Sequence, residues 1–341
     1  MINLKVKVMQ AIKDRLKSLM PKKLLYYYFL YKAKKSCNYD IRRRVYDKVY
    51  NNSDIEKVQR DLTLAYHIVE KGLTMPIPRP GFGKKVVISL CDTILKYEKM
   101  NLPLNDLEFK QSVSVITEYF DYHKDIDYKL DEDVDDKVKN IVSKFKGIEG
   151  LKQKNITKDE YFQDTDKPFD VFCRSRYSVR NYTDESIPMS VLYDCIDLAQ
   201  KSPSFCNRQP TRVHIAKSST LKNSILDLQN GNRGFGHLAE TLLVITSVIS
   251  TTKDIHERNE NHLNGGMFIM TLLNALHFNK IGACSLNWSV TNDKDVKLRN
   301  LLNVPENEVI LMIISCGYVP EKLALASSPR KTAREITTEH L

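Results

Sequence analysis

At 341 residues, 42% of them hydrophobic, the chain is long enough for two domains and apolar enough to bury a sizeable core. No run of 18 or more apolar residues occurs, so no integral membrane anchor is expected, and the seven scattered cysteines form no CxxC pair, which speaks against a disulfide framework or a structural zinc site. The net charge of +10 is local: residues 1–50 hold fourteen Lys and Arg against three Asp, and residues 51–341 together carry −1, so the high pI is no sign that the rest of the chain touches nucleic acid.

Met1 to Met20 alternates apolar residues with lysines and shows neither an uninterrupted apolar core nor a small-residue cleavage site. No secretory signal is expected, and the expected location is cytoplasmic. Ile2, Val6, Met9, Ile12, Leu16 and Leu19 recur at helical spacing, and Pro21 ends the run. An aromatic stretch, Leu24 to Tyr31, follows, then Lys32, Lys34, Lys35 and Arg42 to Arg44. Two readings of this basic arm, residues 1–50, are open. It is either a helical arm packed on the rest of the protein, or an amphipathic element touching the inner face of an anionic membrane, each basic residue adding roughly 1 kcal/mol. No nucleic-acid partner is expected.

Residues 51–150 read as a helical domain. Val58 to Glu70, Lys84 to Met100, Asn105 to His123 and Val134 to Phe145 each repeat apolar residues at three and four, with no strand signal between them. Residues 151–167 are polar and charged and predict a linker. From residue 168 to 341 helices alternate with apolar strands: Met189 to Lys201 a helix, Thr211 to Ala216 a strand, Ser219 to Gln229 a helix, Leu242 to Ser250 a strand, Gly265 to Asn279 a helix, Val309 to Gly317 a strand.

Two segments carry candidate chemistry. Arg176-Tyr177-Ser178-Val179-Arg180 offers two guanidinium forks and a hydroxyl, the donor set a phosphate monoester needs. Ser202-Pro203-Ser204-Phe205-Cys206-Asn207-Arg208-Gln209-Pro210 stands at a helix-to-strand junction, where a rigid support presents polar side chains to a planar ring. Arg-x-Ser-x-Arg alone also arises on solvated surfaces. In order and spacing, however, the two segments resemble the nitroreductase family, whose domain opens with such a motif and continues after one helix with Pro-Ser-x-x-Asn-x-Gln-Pro. Gly265-Gly266-Met267, the stretch Ile281 to Leu286, which is similar to a Gly-rich turn of the family, Leu298 to Pro305, and Pro329-Arg330-Lys331 extend the resemblance over residues 168–335.

The resemblance implies an α+β fold, a nitroreductase-like central sheet flanked by helices, here preceded by an all-helical N-terminal domain. It implies FMN, with NADH or NADPH as reductant, a small electron-poor acceptor, a ping-pong cycle without a side-chain nucleophile, and a homodimer with flavin at the interface. By the same resemblance Arg176, Tyr177 and Ser178 would hold the phosphate and ribityl chain, with Arg330 and Lys331 completing the phosphate site. Arg180 and Asn207 would face the ring, Ser204 and Gln209 would contact ring or ribityl oxygens, and backbone groups near Ser285 and Leu286 would sit beside it. Thr211 stands where the family commonly has an aromatic residue, and Asn287 where glycine is frequent, both on the substrate side. Open alternatives are a non-catalytic or membrane-recruited module of the same fold, and a flavin enzyme acting on a metabolite of a surface-polysaccharide pathway.

Other features receive structural readings. Asn230 to Gly236 is glycine-rich without a dinucleotide fingerprint and reads as a surface loop or a lid. Pro80 to Lys85 lacks P-loop spacing. His67 and Glu70 lie three apart on one helical face without further metal ligands. Cys206 reads as a buried, inert thiol.

Overall fold

The structure, a computed structural model, describes residues 20–50 and 54–340. The apolar stripe from Ile2 to Leu19 lies outside the described residues. The aromatic and basic run after Pro21 forms one long helix, α1 (Lys22–Tyr50). Tyr26, Tyr27, Tyr31 and Tyr39 are exposed along it, and Asp40 ties it to the C-terminal domain through an ion pair with Arg258 at 2.7 Å. Among the described residues no helix is long and apolar enough to cross a membrane.

Four helices follow: α2 (Asp54–Leu73), α3 (Lys84–Lys99), α4 (Leu107–Asp125) and α5 (Glu132–Lys144). Each turns one apolar stripe inward, as the three-and-four spacing dictates. Leu62, Leu90, Ile94, Tyr97, Phe109, Ile116, Tyr119 and Ile141 are fully buried in the shared core. Asp54 and Glu56 open α2, and Glu132, Asp133 and Asp135 open α5, placing negative charge at positive helix ends. The α2–α3 turn is tight: a Cβ on Gly72 would fall 1.9 Å from the Phe82 ring. Lys84, in the motif considered for anions, is occupied by Asp131 and Asp133 at 3.0 and 2.9 Å.

Residues 151–167, expected as a linker, instead hold strand β1 (Lys154–Thr157) and helix α6 (Lys158–Phe162). Thr157 closes a capping box with Glu160, and β1 pairs antiparallel with β6 (Lys322–Leu325) near the end of the chain. The polarity that read as linker belongs to a two-stranded sheet with one exposed side. Helix α7 (Phe169–Ser175) leads into the Arg-rich segment, followed by α8 (Met189–Ala199), β2 (Thr211–Ala216) and α9 (Ser219–Leu228). Next come β3 (Thr241–Val248), α10 (Glu260–Phe278), β4 (Gly282–Asn287), α11 (Asn292–Leu302) and β5 (Glu308–Gly317).

The main sheet has the order β2-β3-β5-β4 and is antiparallel throughout. Side chains alternate across it: Leu242 and Val244 join one core cluster, Leu243 and Ile245 the other, which α10 covers with Phe268, Leu272 and Leu276. The stretch Ile281 to Leu286, expected as a turn, is the edge strand β4.

The bundle is fastened to the C-terminal domain by polar contacts. The buried Glu70 carboxylate accepts from Gln111 Nε2 at 2.9 Å and from the Ser327 hydroxyl at 3.1 Å. Gln111 also donates to Leu151 O and accepts from Leu151 N, both at 2.9 Å.

Strand β4 must come close to the segment before it. A Cβ on Gly282 would stand 2.5 Å from Val319 Cγ1 and 3.0 Å from Val179 Cγ1. Gly282→Ala is therefore expected to destabilise the protein by roughly 1–3 kcal/mol through overpacking. An unchanged urea midpoint would contradict that close approach.

Candidate functional site

Residues 176–182 run beside β4, tied by the bond from Val179 N to Ala283 O at 3.0 Å. Tyr182 locks the segment: its hydroxyl donates to Val179 O at 2.7 Å and lies 3.0 Å from the Ser315 hydroxyl. Gly317 makes room for that ring, since a Cβ there would approach Tyr182 Cβ to 2.9 Å. Arg180 is thereby held inward, 7% exposed, with its Nε buried and without a hydrogen-bond partner. Its guanidinium lies 5.9 Å from the centre of the fully buried Phe235 ring. Arg176 also has a buried Nε without a partner. Among the described residues neither arginine enters an ion pair. A buried donor left unmatched costs about 1–3 kcal/mol, more when charged, so these guanidinia are set for an anionic or oxygen-rich ligand.

The C-terminal tail that carries Arg330 is linked to the arginine segment by way of β1. Lys154 Nζ donates to the Tyr177 hydroxyl at 2.7 Å and stands 4.4 Å from the centre of that ring. The preceding residue, Gln153, accepts from Ser327 N at 2.9 Å. Two adjacent residues thus hold the Arg176–Ser178 segment and the tail that carries Arg330. Arg330 itself is exposed, and its guanidinium bonds to Ser328 O and to Pro329 O. Lys331, expected at the phosphate site, pairs with the buried Glu108 of the helical domain at 2.9 Å.

The second motif makes contacts of its own. Ser204, Asn207 and Gln209 form an exposed or half-exposed loop: Ser204 Oγ accepts from Gln209 N at 2.9 Å, and Gln209 Nε2 donates to Asn207 Oδ1 at 3.1 Å. Phe205 N fixes the loop to Asn264 of α10 at 2.9 Å. Arg208 pins it from the other side through Glu257 at 2.6 Å, and this pairing holds the Glu257 carboxyl down at about 2. Cys206, expected to be buried, is exposed, because the loop adopts a left-handed turn at Cys206, Asn207 and Gln209 that throws the side chain outward. Among the described residues no hydrogen bond or ion pair joins this loop to residues 176–180. It borders instead the outer face of α10, where Leu263, Met267, Met270 and Phe278 are exposed.

Ser285 is exposed on β4, while the Leu286 side chain is buried in the core, so only the backbone of Leu286 is left for a role beside a ring. The Asn230 to Gly236 loop is anchored rather than free: Asn232 Nδ2 donates to Leu226 O at 2.8 Å, and Phe235 fills the core. His67 and Glu70 stand 3.7 Å apart, and no group of metal-ligating side chains occurs among the described residues.

Three contributors escaped the sequence reading. Lys71 of α2 donates to Gly231 O at 3.0 Å, and Lys154 clasps Tyr177. His277 is buried among Tyr161, Phe162 and Phe172, with Nε2 2.8 Å from the Ser175 hydroxyl and Nδ1 unpartnered. No local pattern marks any of them, because each acquires its neighbours from a distant element.

The family model for nitroreductases, described as "Nitroreductase family", matches residues 173–318. The chain is 22% identical over 193 residues to a Caenorhabditis elegans protein named iodotyrosine dehalogenase 1 homolog, covering 48% of this chain and 58% of that one. It is 24% identical over 193 residues to iodotyrosine deiodinase 1 of Sus scrofa, covering 47% and 64%. The chain therefore spans less than two thirds of these curated relatives. A putative nitroreductase from Desulfovibrio desulfuricans, solved in complex with FMN, superposes with a TM-score of 0.45 at 19% identity, covering 52% of this chain and 98% of that one.

Burial, and secondarily the charge of Arg176, pushes the His277 imidazole down to about 4 from the usual 6.5. Between those values the unfolded chain binds a proton that the folded one refuses. The stability His277 confers is thus fully present above pH 6.5 and is lost as pH falls toward 4, by on the order of 2–3 kcal/mol. Replacing it with phenylalanine, which suits the surrounding rings, removes that titration. The stability gap between wild type and His277→Phe in urea should therefore shift by this amount from pH 7 to 4.5, and a constant gap would refute the assignment.

Proposed function

With residues 173–318 forming a nitroreductase-family domain of helices around an antiparallel sheet, we propose that the chain is an FMN-dependent oxidoreductase that passes electrons from NADH or NADPH to a small electron-poor acceptor. The observation that carries this reading is Arg180: a nearly buried guanidinium with an unmatched Nε and no carboxylate of its own. The residues present fit FMN. Arg176, Ser178 and Arg330 would supply donors for a phosphate, and Lys154 holds the Tyr177 hydroxyl of the same segment. Arg180 would stand toward the ring edge that gains charge on reduction, where a preplaced cation stabilises that charge without reorganisation. When bound, FMN supplies two-electron chemistry at N5 that no side chain of this site offers. The family name refers to nitro compounds and the relatives' names to iodotyrosines, so the acceptors to test first are nitroaromatics and iodinated phenols.

The working unit we propose is a homodimer. The outer face of α10 exposes Leu263 (59%), Met270 (44%) and Phe278 (55%), an apolar surface of the kind that marks an interface. The loop with Ser204, Asn207 and Gln209 is fastened to that face through Asn264. A second copy across α10 would let this loop complete the partner's site, in keeping with the absence, among the described residues, of any hydrogen bond or ion pair between the loop and residues 176–180.

Purified protein, supplied with FMN if needed, should show the flavin band near roughly 450 nm and lose it anaerobically on addition of NADPH or NADH. Absence of the band after FMN addition would sink the proposal. Arg180→Met should weaken FMN binding at least about tenfold, the loss of one charge-assisted contact. Light scattering should give twice the chain mass, and Met270→Asp should yield a monomer with diminished flavin content. A wild-type monomer that retains FMN would exclude the dimeric site.

A further inference from the structure

Lys71 lies in the last turn of α2 and leaves the helical bundle. Its ammonium donates to Gly231 O at 3.0 Å and stands 5.7 Å from the centre of the Phe235 ring, the same ring that Arg180 approaches to 5.9 Å. Phe235 is fully buried, so both cations are drawn out of bulk water to meet it. Burial first, and the charge of Arg180 second, lowers the Lys71 ammonium below the ordinary lysine range. Among the described residues neither Lys71 nor Arg180 enters an ion pair, so no carboxylate there compensates their mutual repulsion; the Phe235 ring and Gly231 O are what each cation has. Two like charges at one buried ring are tolerable when an anion arrives between or beside them.

The geometry points to Lys71 as a cofactor-binding cation that the helical domain contributes, serving together with Arg180 the part of FMN that gains negative charge on reduction. The inference rests on the FMN reading given above. It makes the helical domain part of the flavin site. Lys71 also latches the Asn230 to Gly236 loop through Gly231, so its two tasks have to be separated: glutamine retains a donor for Gly231 O but loses the charge, methionine loses both, and arginine keeps both.

The test uses the full-length protein as wild type, Lys71→Met, Lys71→Gln and Lys71→Arg, each checked for folding by circular dichroism. Each is titrated anaerobically with oxidised FMN and with FMN held reduced by dithionite. The Met and Gln variants should bind oxidised FMN about threefold and reduced FMN about thirtyfold more weakly than wild type. That tenfold change in ratio lowers the midpoint potential by about 30 mV for a two-electron couple. Lys71→Arg should restore the wild-type ratio. If Lys71→Met fails to fold, Lys71→Gln carries the comparison alone. Folded, FMN-binding variants with the wild-type ratio would overturn the role of Lys71 and leave the flavin reading intact. A wild type that binds FMN in neither state would overturn both.

Discussion

A buried guanidinium that enters no ion pair among the described residues gains only the attraction of a neighbouring ring, here Phe235, so something else has to hold it in place. At Arg180 that something is backbone geometry. The bond from Val179 to Ala283 sets the register of residues 176–182 against β4, and Tyr182 fastens the segment to Val179 and Ser315. Both contacts depend on missing side chains, at Gly282 facing Val179 and Val319 and at Gly317 facing Tyr182. The unmatched Nε costs about 1–3 kcal/mol, and the surrounding core of Leu242, Val244, Leu286 and Ile313 offsets it. A local penalty supported by a well-packed surround is the usual mark of a binding site rather than of a structural ion pair.

Helices with one wet face were legible in the sequence because their burial repeats with the helical period. Val134, Val138 and Ile141 of α5, or Val58, Leu62 and Val69 of α2, announce themselves. Strand β3 was legible for the opposite reason: it is buried on both faces and opens with the apolar run Leu242 to Ile245. The short strands β1 and β6 were not. Lys154 and Asn155 are exposed in a two-stranded sheet, and nothing in Lys-Asn-Ile-Thr announces a partner as far along the chain as Leu325, which pairs with Lys154. Strand β4 begins Gly-Ala-Cys, small residues chosen for the close approach of Val179, and small residues carry little strand signal.

The site divides along the same line. Motif residues were recognisable because Arg176 to Arg180 and Ser204 to Gln209 are contiguous in sequence, whereas their surroundings are tertiary. Lys331 shows the difference. Beside Arg330 in sequence, it acquires in space a partner from a distant element, Glu108 on α4. Lys71 shows the converse: sequence places it at the end of a bundle helix, and the fold places it beside Phe235.

These contacts explain why the helical bundle and the C-terminal domain should be regarded as one folded body. Glu70 is a fully buried carboxylate whose partners come from both parts, Gln111 from α4 and Ser327 from the tail. Stripped of either partner it would be a buried charge without sufficient hydrogen bonds, a state that costs several kcal/mol. Ser327 in turn is held by Gln153, whose neighbour Lys154 grips Tyr177. Hydrogen bonds joined by the Gln153–Lys154 backbone therefore run from the bundle interior to the arginine segment. Through it the bundle fixes the tail that carries Arg330, and the position of that tail is a property of the whole chain rather than of the sheet domain alone.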